Sequence, residues 1–119
     1  SMEIIYKDDY DILVLASPIY MYNVTPAMFN VITRLNMYWS NKYFLKKEYI
    51  LKKKTGILIL TGGGNGKPKH ALEMAELTFK ILNADFNINT NYVYSLHTNE
   101  INAKDDKNID KMINNIKIN

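Results

Sequence analysis

The chain of 119 residues contains no cysteine. That excludes disulfides, thiolate metal sites and cysteine nucleophiles within it, and it fits a reducing cytoplasmic setting. Histidine is almost as scarce, with His70 and His97 far apart and no carboxylate or second histidine at ligand spacing beside either. Both read as surface or helix-start residues, so no metal site is expected. Arg34 is the only arginine, and a net charge of +3 is too small to imply a nucleic-acid partner by itself. No apolar run approaches the roughly 20 residues of a membrane span, and no charged-then-apolar leader precedes the first apolar run. No Gly-x-Ser-x-Gly setting surrounds Ser17, which argues against a hydrolase nucleophile. The Asp105–Asp106 pair reads as negative charge at a helix start rather than as paired catalytic acids.

What is present is an alternation of apolar strands and amphipathic helices. Residues 11–16 form a continuous Ile-Leu-Val-Leu strand, as expected for a parallel strand covered on both faces. Ser17-Pro18 breaks it, and a turn with Tyr20, Tyr22 and Asn23 follows. Thr25 is a good N-cap and Pro26 suits the first helical position, so a helix is expected from 26 to about 37, with Met28, Phe29, Ile32 and Leu35 on its apolar face. Residues 55–61 make a second buried strand. A turn rich in glycine, Gly62 to Gly66, leads to a helix over about 68–83 whose stripe is Leu72, Ala75, Thr78 and Leu82, widened by Met74, Leu77 and Ile81. A third, half-polar strand at 91–96 precedes a helix over about 103–116 that carries Ile109, Met112, Ile113 and Ile116. Residues 3–10 read as the last turn of a helix entering the first strand. Strand and helix alternate three times, which implies a parallel sheet with right-handed crossovers in one domain over 2–119.

Residues 36–54 are the least regular part, mixing Tyr38, Trp39, Tyr43, Phe44 and Tyr49 with Lys42, Lys46, Lys47, Lys52, Lys53 and Lys54. Basic residues interleaved with aromatics can bind single-stranded nucleic acid. No recognition motif accompanies them, and acidic residues elsewhere nearly balance the charge. The favoured reading is an amphipathic connection with rings on the core and lysines in water. The rings could instead face a partner subunit.

Two turns at the carboxyl ends of neighbouring strands form the candidate site, because ligands bind there in open α/β sheets. In the first, Pro18 stiffens the chain, Tyr20 supplies a flat π face and Asn23 supplies hydrogen-bonding groups. In the second, glycines permit close backbone approach and positive φ. The Gly62–Lys67 stretch lacks the spacing of a P-loop or of a dinucleotide fingerprint. Plain structural roles, a strand stop and a flexible strand-to-helix turn, account for either turn as well.

Ala-Ser-Pro-Ile-Tyr at 16–20, the Asn and Pro after it, and a helix that ends in Thr33-Arg34 resemble the flavodoxin-like NAD(P)H-dependent FMN reductases and their iron–sulfur flavoprotein relatives. Thr33 stands where that family often has Asp. The resemblance implies a truncated flavodoxin-like three-layer α/β/α fold with a short parallel sheet. It also implies FMN as cofactor and NAD(P)H as reductant, with Ser17, Pro18, Ile19, Tyr20, Asn23, Thr61, Gly62 and Gly63 against the flavin ring. No catalytic acid or base is implied. The family's first strand, its phosphate loop, the next helix and the second strand have no counterpart, so the sequence is similar to a carboxyl-terminal portion that begins near the family's third strand. That leaves the strand at 12–16 on a sheet edge and implies a homo-oligomer built through it. The alternative function is a non-catalytic dimerisation or binding module on the same scaffold.

Overall fold

In the computed structural model, the described residues are 5, 7–19, 24–35, 51–63 and 68–118. The order along them is β1 (Ile12–Pro18), α1 (Pro26–Arg34), β2 (Lys54–Thr61), α2 (Lys69–Ile81), β3 (Ala84–Asp85), β4 (Tyr92–Ser95), a 3₁₀ turn (Ala103–Asp105) and α3 (Lys107–Asn115). The chain is thus an α/β domain around a short, wholly parallel sheet, as the alternation of strands and helices implies. No helix among the described residues is long and apolar enough to cross a membrane.

β2 is the central strand. β1 runs along one side of it in the register Ile12↔Thr55 through Pro18↔Thr61. Its other side is shared: β3 pairs with Lys54 and Thr55, and β4 pairs with Leu58 through Thr61. The two-residue β3 is too short to leave a periodicity signal, and the sequence does not announce it. In the gap between the two pairings, the buried Asn91 side chain substitutes for a rung. Its Nδ2 donates to the Gly56 carbonyl at 3.1 Å and to the Lys117 carbonyl at 3.0 Å, and its Oδ1 accepts from the Lys117 N–H at 3.0 Å.

One face of the sheet holds the main core. Leu58 and Leu60 of β2 pack with Ala71, Ala75 and Phe79 of α2, with Val24, and with Met28 and Ile32 of α1. Thr25 caps α1 as expected, its Oγ1 accepting from the Met28 N–H at 3.3 Å, with Pro26 opening the helix. The buried line on α2 is Ala71, Ala75, Thr78 and Phe79, continued by Leu82, whereas Leu77 is 40% exposed. The stripe is therefore rotated from the expected one. Two alanines without bulk let the helix approach the sheet, and Phe79 enters the space that Gly56 leaves open. A Cβ on Gly56 would lie 2.7 Å from the Phe79 ring.

The helix expected over 103–116 splits into a 3₁₀ turn and α3, because Asp106 takes the N-cap position and accepts from the Asn108 N–H at 3.0 Å. α3 packs against β4. Ser95, on the face opposite Leu60, donates to Asp106 at 3.3 Å, which ties the helix start to that second face.

Two tyrosines stand two residues apart on β4, with Tyr92 and Tyr94 ring centroids 4.7 Å apart. Burial, and secondarily the Tyr94 charge, push the Tyr92 phenol up from 10.0 to about 12. The folded chain therefore holds that proton more tightly than the unfolded chain. The resulting stability is fully present below about pH 10 and is lost as pH rises through about 12. Urea midpoints measured across that window should fall, and a Tyr92→Phe variant should lose this part of the fall.

Candidate active site

The parallel ladder sets the carboxyl ends of β1, β2 and β4 side by side, and three loops leave from there. Of the first loop the described residues are Ser17, Pro18 and Ile19. Tyr20 and Asn23 lie outside the described residues, as do Gly64, Asn65 and Gly66 of the second. Ser17 is buried and works as a clasp. Its Oγ donates to the Pro18 carbonyl at 2.7 Å and accepts from the Thr25 N–H at 3.1 Å, so it joins the two ends of the turn. Ser17 therefore serves the turn's shape from beneath.

Backbone bonds tie the loops together. The Ile19 N–H donates to the Thr61 carbonyl at 2.7 Å and the Gly62 N–H to the Ser95 carbonyl at 2.8 Å. The Thr98 N–H donates back to the Gly62 carbonyl at 3.0 Å. Gly62 thus bonds both ways with the loop after β4. A Cβ on Gly62 would sit 3.4 Å from the Ile19 Cβ and 3.7 Å from Leu96 Cδ2, and one on Gly63 would sit 3.4 Å from the Asn99 Cβ. Neither described glycine uses positive φ. Their value is close approach, since bare backbone lets the first and third loops close on the second.

The structure therefore brings together Ser17, Pro18, Ile19, Thr61, Gly62 and Gly63, six of the residues expected from sequence. It adds a third loop, 96–99, that the sequence reading passed over. The available signal was its position directly after the third strand, but Leu96-His97-Thr98-Asn99 carries no glycine or proline that marks a binding turn. His97 is exposed there, and its carbonyl accepts from the Glu100 and Ile101 N–H groups at 2.8 and 2.9 Å. His70 is exposed in the first turn of α2, and Arg34 closes α1. Among the described residues no three His, Cys, Asp or Glu side chains converge as a metal would need.

The described residues 17–19, 61–63 and 95–99 include no Lys, Arg, Asp or Glu. Backbone edges, small hydroxyls and the apolar Ile19 and Leu96 can bound a flat heterocycle. The described residues thus fit the ring of a flavin. A family model described as NADPH-dependent FMN reductase matches residues 7–99 of the chain. No curated protein and no solved structure matches it.

Proposed function

For this chain, which belongs to the NADPH-dependent FMN reductase family, we propose an FMN-dependent oxidoreductase-like domain whose ring site is the three-loop shelf. The observation that supports the reading is the backbone-bonded shelf of described residues 17–19, 61–63 and 95–99 at the carboxyl ends of three adjacent parallel strands. Ile19 and Pro18 from one side, Gly62 and Gly63 beneath, and Leu96 to Asn99 from the other would bound the ring. By family resemblance Tyr20 would lie against it and Asn23 would bond its polar edge. Bound FMN would supply hydride or electron transfer between NAD(P)H and an acceptor. The chain's own part is to position the ring and exclude water from one side. Ser17 keeps the first loop folded from below, and the Gly62 bonds keep the second and third loops in fixed relation. The phosphate is held elsewhere, on another part of the chain or by a partner subunit, and the domain works with the cytoplasmic nicotinamide pool.

Titrating the purified chain with FMN, followed by quenching of flavin fluorescence, tests this. Saturation at micromolar FMN or tighter is expected. A Gly62→Val variant, whose methyls part Ile19 from Leu96, should bind at least about tenfold more weakly, roughly 1.4 kcal/mol, while retaining the circular dichroism of the parent. Absence of saturation at ~1 mM FMN, an affinity of only about −4 kcal/mol, would overturn the flavin reading. It would favour a non-catalytic dimerisation or binding module on this scaffold.

A further inference from the structure

Gly62 and Gly63 meet the loop after β4 in different ways. Gly62 meets it through backbone, accepting from the Thr98 N–H at 3.0 Å and donating to the Ser95 carbonyl at 2.8 Å. Gly63 meets a side chain. A Cβ on Gly63 would lie 3.4 Å from the Asn99 Cβ and 3.7 Å from its Cγ, the carbon of the carboxamide. With only hydrogen at Gly63, that carboxamide stands beside bare backbone on the shelf. Its place in the chain is fixed from both sides. Thr98 before it is bonded to Gly62, and Glu100 and Ile101 after it both donate to the His97 carbonyl, at 2.8 and 2.9 Å. The loop is therefore a closed turn with Asn99 exposed in its middle. Among the described residues, no hydrogen bond engages the Asn99 carboxamide.

Resting on the flavin reading of this shelf, we propose that the Asn99 carboxamide reads the imide edge of the ring, its N3–H and an adjacent carbonyl. Asn99 then makes the shelf selective for heterocycles that carry that edge. A carboxamide holds a donor and an acceptor side by side in one plane. An imide presents the same pair reversed, so two parallel bonds form: Nδ2 donates to the ring carbonyl, and Oδ1 accepts from N3–H. Asn pairs with the edge of adenine by the same matching of a donor and an acceptor. No other described side chain of the three loops offers this. Ser17 is committed within the first turn, and Ser95 donates to Asp106 at 3.3 Å. The hydroxyls of Thr61 and Thr98 have one oxygen each, and the two ring nitrogens of His97 point away from one another. The closed turn also places Asn99 before any ligand arrives, which leaves little ordering to be done on binding. Asn23, given to the ring's polar edge by resemblance, belongs to the first loop, so substitution separates the two.

Fluorescence titrations with FMN and with 3-methyl-FMN, in which a methyl replaces the N3 hydrogen, test this. The unmodified chain should bind FMN at least about tenfold more tightly than the methylated flavin. Asn99→Leu, a change of similar size and shape, should bind FMN about tenfold more weakly. It should also lose the preference between the two flavins, while keeping the circular dichroism spectrum of the parent. Asn99→Asp, whose ionised carboxylate accepts but does not donate, should weaken FMN binding as well. Asn23→Leu is the comparison, and it should weaken both flavins alike and keep the preference. An unmodified chain that binds the two flavins equally would overturn the role of Asn99 and leave the flavin reading standing. So would an N99L variant that keeps the preference, or an N23L variant that removes it. Failure of the unmodified chain to bind either flavin at ~1 mM would overturn both.

Discussion

Replacing Lys54 with alanine is expected to cost about 3–5 kcal/mol, the penalty for stranding a buried charge. The run Lys52-Lys53-Lys54 looks like three solvated lysines, and Lys52 and Lys53 are indeed exposed. Lys54 is not: its side chain is fully buried. Its ammonium donates to the Lys52 carbonyl at 2.6 Å and the Leu82 carbonyl at 2.9 Å, pairs with the Asp8 carboxylate, and lies 5.1 Å from the centre of the Tyr10 ring. Asp8 in turn accepts from the Lys52 N–H and sits at φ 53°, a left-handed conformation that Asp tolerates better than most residues. One ammonium thus joins the entry to β1, the start of β2 and the carbonyl that closes α2. Removing it leaves a carboxylate that is 15% exposed without its cation, and two carbonyls without their donor. Urea unfolding should show the loss as a lower midpoint with an unchanged slope. The double variant Lys54→Met with Asp8→Ala should cost clearly less than the sum of its single changes, because a buried pair removed together leaves no bare charge. A loss below about 1 kcal/mol for Lys54→Ala would place the pair among surface ion pairs instead. Lys52 and Asp11, 2.7 Å apart on the surface, offer the contrast. The hydrogen bond between them holds the Asp11 carboxyl below its ordinary range and lifts Lys52 above its own, yet both remain in water.

A second substitution, Gly56→Ala, should destabilise by about 1–3 kcal/mol, the usual cost of overfilling a packed core. Its Cβ would meet Phe79 Cδ1 at 2.7 Å and Cε1 at 2.9 Å. The ring has little room to yield, being 1% exposed and stacked on Phe86 with centroids 4.7 Å apart. The expected signature is coupling. Phe79→Leu alone opens space and weakens the core, but in the Gly56→Ala background it removes the clash. The double variant should therefore be more stable than additivity predicts, by more than about 0.5 kcal/mol. Strict additivity in urea midpoints would show that the ring does not set the cost.

These two positions mark where sequence reading succeeds and where it stops. The apolar run at Ile57 announces a buried strand and Thr25-Pro26 a helix start, because each signal lies within a few neighbouring residues. The run at Ile12 announces a strand but not its burial: Ile12, Val14 and Ala16 stand exposed on one face instead of being covered on both. Lys54 is different, since its acceptors come from positions 8, 52 and 82, and no local pattern shows that they meet. Phe79 is missed for a related reason. A helix period cannot tell which of two adjacent stripes faces the sheet until the empty place at Gly56 is known. The site follows the same division. Ser17, Pro18 and Gly62 are visible as strand ends with turn chemistry, whereas the loop after β4 is recognised only when Gly62 is seen bonded to both Ser95 and Thr98.

The Asn91 side chain has a mechanical consequence. It grips the backbone of Lys117 on both its N–H and C=O while holding Gly56 in the middle of β2. Tension applied beyond residue 117 therefore passes first to the central strand, through an amide oriented across the sheet, rather than peeling α3 from its end. The short helix, with no fully buried side chain of its own, is shielded from that load by a clamp placed after it in the chain.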